Sequence, residues 1–190
     1  SYADAMGRVR DMHIEKFPQL AKRINQVFND FVMPQIVFPS QRSTQFGGDA
    51  IKRNNMRLYN CTASYCDRVR FFAEGFWLLM SGCGVGFSVQ KHHIARLPRL
   101  ITADQRDARI NKIHVVADSI EGWADALNEL VNFFFGIRET YPQFDYSLIR
   151  KKGSALRHGG KAPGAFALKK ALQAIEAIFV QSAGRKLSPI

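Results

Sequence analysis

No run of about eighteen uninterrupted apolar residues occurs in the 190-residue sequence, so the ordinary signature of a membrane-spanning helix is missing. The opening SYADAMGRVRDMHIEKF carries charge where a secretory signal needs an apolar centre. A soluble, cytoplasmic protein without a membrane partner is therefore expected. Cysteine is scarce: Cys61, Cys66 and Cys83 are odd in number, form no CxxC pair and have no histidine at zinc-finger spacing. That excludes a disulfide scaffold and a structural zinc site, and leaves free thiols in a reducing compartment, with room for one to be reactive. Acidic side chains are also short, 16 against 27 lysines and arginines, for a formal net charge of +11. Such an excess attracts nucleic acid, acidic protein or nucleotide phosphate alike and does not choose among them.

Apolar material is not lacking. Hydrophobic residues make up 46% of the chain and aromatics 12%, enough for one core of good size. Residues 1–33 read as a helical region: Val9, Met12 and Ile14 precede a Phe17-Pro18 break, after which Leu20, Ile24, Val27, Phe28 and Phe31 recur at helical spacing. From Met33 to Asn60 prolines, glycines and polar residues surround two β-type pieces, QIVF and RLYNC, which predict loop, strand and turn with Cys61 at a strand end. FFAEGFWLLM predicts a helix buried on most sides, running into a glycine-rich loop, GCGVGFSV. Residues 91–114 show little period apart from a short strand at KIHVV.

Asp118 and Glu121 have capping-box spacing and predict a helix whose apolar face is Ile120, Ala124, Leu127, Val131 and Phe134, ended by Gly136. FDYSLIR predicts a strand leading into KKGSALRHGGKAPG, and a last helix from about Ala165 to Gln181 buries Leu168, Ala171, Leu172, Ile175 and Phe179, with Gly184 as its cap. The segments after residue 33 mix helix and strand, an α/β pattern, and no linker divides them.

Taken singly, the chemical candidates have ordinary explanations. GCGVGFSV lacks the lysine of a phosphate-binding loop and the spacing of a dinucleotide fingerprint, so turns and tight packing account for its glycines. Gly153 to Gly164 could expose backbone N–H groups to a phosphate beside Arg150, Lys151, Lys152, Arg157 and Lys161, or could be a solvated basic loop. Cys61 reads as a buried, inert thiol. His92 and His93 have no ligand partner at metal spacing, and Asp118 with Glu121 is a helix start before it is an acid–base pair.

In order, however, RDMHIEKFP, PSQRSTQFGG, RLYNC, FWLLMSGCGVGFSVQKHHIARLP, DSIEGWADAL and FDYSLIRKKGSALRHGGKAPG resemble consecutive stretches of the catalytic subunit of ribonucleotide reductases, closest to the adenosylcobalamin-dependent class II branch. The resemblance runs from about residue 8 to 187. It implies a ten-stranded α/β barrel, of which residues 34–190 would form the first portion, and reduction of ribonucleotides to deoxyribonucleotides by thiyl-radical chemistry. Cys61 matches the first of the two reducing cysteines. Ser40, in the Pro39-Ser40 turn, matches a holder of the substrate phosphates; Asn60 matches a substrate contact; and Gly84, with Cys83 beside it, matches the glycine that lets the ribose approach.

The helix from Asp118 matches the one that builds the effector site at the subunit interface of dimeric members, so a homo-oligomer is a further expectation. Arg157, His158, Gly159, Gly160 and Lys161 fall in the specificity loop between effector and substrate, although Lys161-Ala162-Pro163-Gly164 departs from its usual ending. The implied ligands are a ribonucleotide substrate, deoxynucleotide or ATP effectors and a thioredoxin-like reductant. The implied cofactor is adenosylcobalamin, or alternatively a separate metal-containing radical subunit.

The radical cysteine and the second reducing cysteine of the family would lie downstream, so a downstream polypeptide completing the barrel is expected, from a split gene, an intein junction or trimming. A compact split reductase would suit a phage genome. Two rival readings remain. One is a nucleic-acid-binding basic protein, suggested by Arg57, Tyr59, Arg70 and Phe71; the other is a non-catalytic regulator that keeps a nucleotide site.

Overall fold

In a computed structural model, which describes residues 1–156 and 160–189, Ser1 opens helix α1 (Tyr2–Lys16) with a reciprocal capping box to Asp4. Pro18 ends that helix in a 3-10 turn, and α2 (Ala21–Val27) continues into a π-helical turn over Phe28–Val32. Met6, Val9, Phe28 and Val32 form a small core, and the Tyr2 hydroxyl donates to the Val32 carbonyl at 2.7 Å. Only part of the expected stripe is inside: Phe28 is buried, whereas Leu20, Val27 and Phe31 are exposed. These helices belong to a compact unit of residues 1–62 and 81–84; residues 63–80 and 85 onward form a second.

The middle of the first unit corrects the strand expectation. QIVF is a turn with Ile36 67% exposed, and among the described residues it pairs with no strand. Ser40 instead caps a short helix, α3 (Gln41–Phe46), accepting from the Ser43 amide at 3.1 Å. Helix α4 (Asp49–Arg53) and a 3-10 turn (Asn55–Leu58) follow. RLYNC is thus mostly turn, and Cys61 begins strand β1 (Cys61–Tyr65) where a strand end was expected. GCGVGFSV, expected as a loop, is largely strand β2 (Gly84–Ser88). β1 and β2 pair; the bonds Gly84 N–H to Asn60 O (2.7 Å) and Cys66 N–H to Ser88 O (3.0 Å) run in parallel order. Between them α5 (Phe71–Met80) buries only Phe71 and Gly75, with Leu79 exposed, so it is less enclosed than its composition suggests.

The second unit continues through the short helices α6 (Lys91–Ile94) and α7 (Ala103–Asp107), which the sequence did not disclose, to β3 (Ile110–Val115). β3 pairs in parallel with β4 (Thr140–Asp145), in register from Ile110 with Thr140 to Val115 with Asp145. The intervening α8 (Ile120–Phe134) packs Ala124, Leu127, Leu130, Val131 and Phe134 into the main core, the expected solution for an amphipathic crossover helix. Its apolar face serves its own core, where a subunit contact was also conceivable. β4 starts earlier than FDYSLIR, and an Asx turn at Asp145 stops it, the Ser147 amide donating to Oδ1 at 2.9 Å. Helix α9 (Ala165–Gln181) buries Leu168, Leu172 and Phe179, but Ala171 faces solvent. Gly164 starts it with φ +73°, and a Cβ there would stand 3.0 Å from the Lys152 backbone nitrogen.

Asp118 is not the cap of α8. Ser119 is, accepting from the Gly122 amide at 3.0 Å, while Asp118 accepts from Arg150 Nε at 2.6 Å. Ser119→Ala should therefore cost about 1 kcal/mol. Asp118→Ala, which removes a half-exposed ion pair, should cost less than about 1 kcal/mol; urea unfolding of the two variants checks the order.

Tyr141 on β4 donates to Glu176 Oε1 on α9 at 2.8 Å, with the Arg109 guanidinium 4.3 Å above its ring. Burial first, then the bond to Glu176, pushes its phenol from 10 up to about 12. The folded value exceeds the unfolded one, so the stabilisation from neutral Tyr141 is complete below pH 10 and is lost as pH rises towards 12. Urea midpoints should fall over that window, and Tyr141→Phe should flatten the decline, leaving a residual slope from Tyr146, which burial also raises. Among the described residues no helix is long and apolar enough to cross a membrane.

Candidate functional site

The start of β1 and the residues entering β2 lie side by side in the first unit. Gly84 donates its amide to the Asn60 carbonyl, and a Cβ on Gly84 would stand 3.5 Å from that oxygen and 3.9 Å from Cys61 Sγ. The space is enough for ordinary contact, so the missing side chain matters because it leaves the Cys61 thiol uncovered. Asn60, Cys61 and Gly84 are all exposed. The inert, buried thiol suggested by composition is thus not Cys61.

Arg42, one residue into α3, spans the two strand starts. Its Nε donates to Asn60 Oδ1 and its Nη2 to the Gly82 carbonyl. Phe46, a turn further along α3, has two guanidiniums over its ring, Arg42 5.6 Å and Arg57 5.4 Å from the centroid. Ser40 enters the same cluster through the helix it caps. Its Oγ is occupied by the Ser43 amide and lies 2.9 Å from the Ser43 hydroxyl. Sequence reasoning missed Arg42: its offset of two residues from the Pro39-Ser40 turn was the one available hint.

The other cysteines do not join this surface. Cys83 is 2% exposed, with Sγ against the Gly84 carbonyl at 3.7 Å. Cys66 is buried, and burial, then the charge of Asp67, pushes its thiol up, which makes it a poor nucleophile. The three thiols are therefore distinguished by burial, and Cys61 is the one presented to solvent.

A second group lies in the second unit. The Asp118–Arg150 pair ties the start of α8 to the head of the basic loop. The loop folds back on itself through the Ala155–Lys161 bridge, with Gly160 in the left-handed region and its carbonyl accepting from Leu156 N at 3.1 Å. Arg157, His158 and Gly159 lie outside the described residues. Among the described residues no group of three His, Cys, Asp or Glu side chains is placed to hold a metal ion.

No model of a known protein family matches the chain. A curated protein of Dictyostelium discoideum, a probable adenosylcobalamin-dependent ribonucleoside-triphosphate reductase, is 36% identical over 77 residues, which is 40% of this chain and 10% of the relative. The crystal structure of a B12-dependent (class II) ribonucleotide reductase superposes on 99% of this chain with a TM-score of 0.82 at 21% identity. The chain spans about a third, 35%, of that structure and a tenth of the curated relative. Its fold is that of a portion of a class II ribonucleotide reductase, and the curated relative belongs to the same adenosylcobalamin-dependent branch that the motifs resemble.

Proposed function

We propose that this chain is the N-terminal part of a ribonucleotide reductase and that the cluster around Cys61 is its contribution to substrate reduction. The observation that carries the reading is the exposed Asn60–Cys61 strand start beside the side-chain-free Gly84. In this reading a ribonucleotide lies across the strand starts with its phosphates towards Ser40, its ribose over Gly84 and Asn60 as a polar contact. Two thiols reduce the substrate: the 2′ C–OH bond is replaced by C–H, water leaves, and the sulfurs join as a disulfide. Cys61 is one of the two. Its partner and the thiyl-radical cysteine come from a downstream polypeptide, and a thioredoxin-like dithiol reduces the disulfide by exchange, for which an exposed sulfur is suited.

Exposed apolar residues on β3, Ile110 at 71% and Ile113 at 68%, fit sheet faces that further elements of a ten-stranded barrel would cover. Asp118, Gly160 and Lys161 are the proposed described contacts of a deoxynucleotide or ATP effector. The anchoring of the basic loop to α8 through Arg150 supports a coupled unit that an effector could bias. Adenosylcobalamin is the cofactor in the name of the Dictyostelium relative. The cleft lined by Lys112, His114, Arg138 and Thr140, with a volume of about 230 Å³, is below the roughly 300–1,000 Å³ of pockets for drug-sized ligands and is not assigned to it.

The nucleic-acid alternative separates cleanly by binding. The reductase reading expects the protein to discriminate among free nucleotides. Equilibrium titration with CDP, CTP and a single-stranded oligonucleotide at two salt concentrations tests it. Strongly salt-dependent binding of the oligonucleotide with no discrimination among the nucleotides would replace the reading with a strand-binding one.

A further inference from the structure

We infer that Arg42 is a positioning residue that fixes the side-chain amide of Asn60 so that its NH2 group, and not its oxygen, is offered to the ligand. The inference rests on the reductase reading for the identity of that ligand, and on the arrangement at the strand starts for everything else. A guanidinium has donors only. With Arg42 Nε directed at the Asn60 side chain, the amide must turn its one acceptor towards the arginine, since the flipped amide would set N–H against N–H. The two amide hydrogens are then directed away from Arg42, on a residue that is itself exposed beside the Cys61 thiol.

Arg42 is in turn held from two sides. Its Nη2 donates to the Gly82 carbonyl, and its guanidinium lies over Phe46, whose ring also carries Arg57. A planar fork with two separated donors can bond Asn60 and Gly82 together, which a lysine ammonium on a flexible stem does not reproduce. The site is thereby set as a hydrogen-bond donor towards oxygen acceptors of the ligand, such as a sugar hydroxyl or a phosphate oxygen.

Asn60→Asp is the discriminating variant. A carboxylate keeps the acceptor for Arg42 and strengthens that pair, but presents a second acceptor where the NH2 group stood. The full chain carrying Asn60→Asp should melt at or above the temperature of the unaltered protein while binding CDP or CTP at least about tenfold more weakly, the scale of one lost hydrogen bond with a repulsive replacement. Arg42→Lys should weaken binding without being rescued by its retained charge. In nitrogen-15 spectra the Arg42 Nε–H signal should be slow to exchange and should become fast in Asn60→Ala. Unchanged nucleotide binding by Asn60→Asp, or an Arg42 Nε–H that exchanges fast in the unaltered protein, overturns the inference and leaves the reductase reading standing. Failure of the unaltered protein, completed by its downstream segment, to bind either nucleotide overturns the reductase reading itself.

Discussion

Replacing Phe134 with alanine is expected to remove about 3–5 kcal/mol of stability from the second unit. Phe134 is 2% exposed and sits at the end of α8 with ring centroids of Phe133 and Phe179 at 5.3 and 5.4 Å. The neighbours come from two helices, and the rings of Phe72 and Phe135 also pack against Phe179. Shrinking one aromatic leaves a hole that this cluster closes only by moving several rings at once. At about 2–4 °C per kcal/mol for a protein of this size, the melting temperature should fall by roughly 6–20 °C. Phe166→Ala on the exposed side of α9 should stay within about 0.5 kcal/mol. A melt of Phe134→Ala indistinguishable from the unaltered protein would contradict the core assignment.

The second large effect is chemical. Cys61→Ser should leave the fold intact, because the side chain is exposed and Gly84 places nothing over it. In the protein completed by its downstream segment, multiple-turnover reduction should fall to background. Serine cannot give up the two electrons that a pair of thiols supplies on forming a disulfide, so no amount of reductant should restore it. Cys66→Ser and Cys83→Ser should instead register in stability, as expected for buried thiols. Turnover retained in Cys61→Ser, measured as deoxynucleotide formed per chain, would remove the assigned role.

The elements most legible in the sequence were those with strong local signals. α8 and α9 announce themselves by apolar spacing over four turns, and β3 by the β-branched run in KIHVV. The errors arose where tertiary context decides. Ile36, Val37 and Phe38 have strand propensity but pair with no strand among the described residues, and Ser40 starts a helix instead. Asp118 and Ser119 are both good caps one residue apart, and the choice went to Ser119 because Arg150, thirty-two residues away, engages Asp118.

The site was legible in part. Its residues were selected by their order along the chain, since none carries a sufficient signal alone. That Asn60, Cys61 and Gly84 meet depends on β1 pairing with β2, and that Arg42 bridges them depends on α3 being a helix, which the polar texture of PSQRSTQFGG concealed. Cys83 shows what sequence order leaves open: it stands beside Gly84 in the chain, yet it is 2% exposed while Gly84 is exposed, a difference that packing decides.

The most direct test of the central claim is to combine this chain with the polypeptide carrying the remaining reductase segment and measure deoxynucleotide formation from a ribonucleotide, with and without adenosylcobalamin. The account predicts product only when both polypeptides are present and Cys61 is intact, with cobalamin dependence if the radical arises as in the class II relatives. Absence of product under every radical source, from a properly folded pair that still binds nucleic acid, would contradict it.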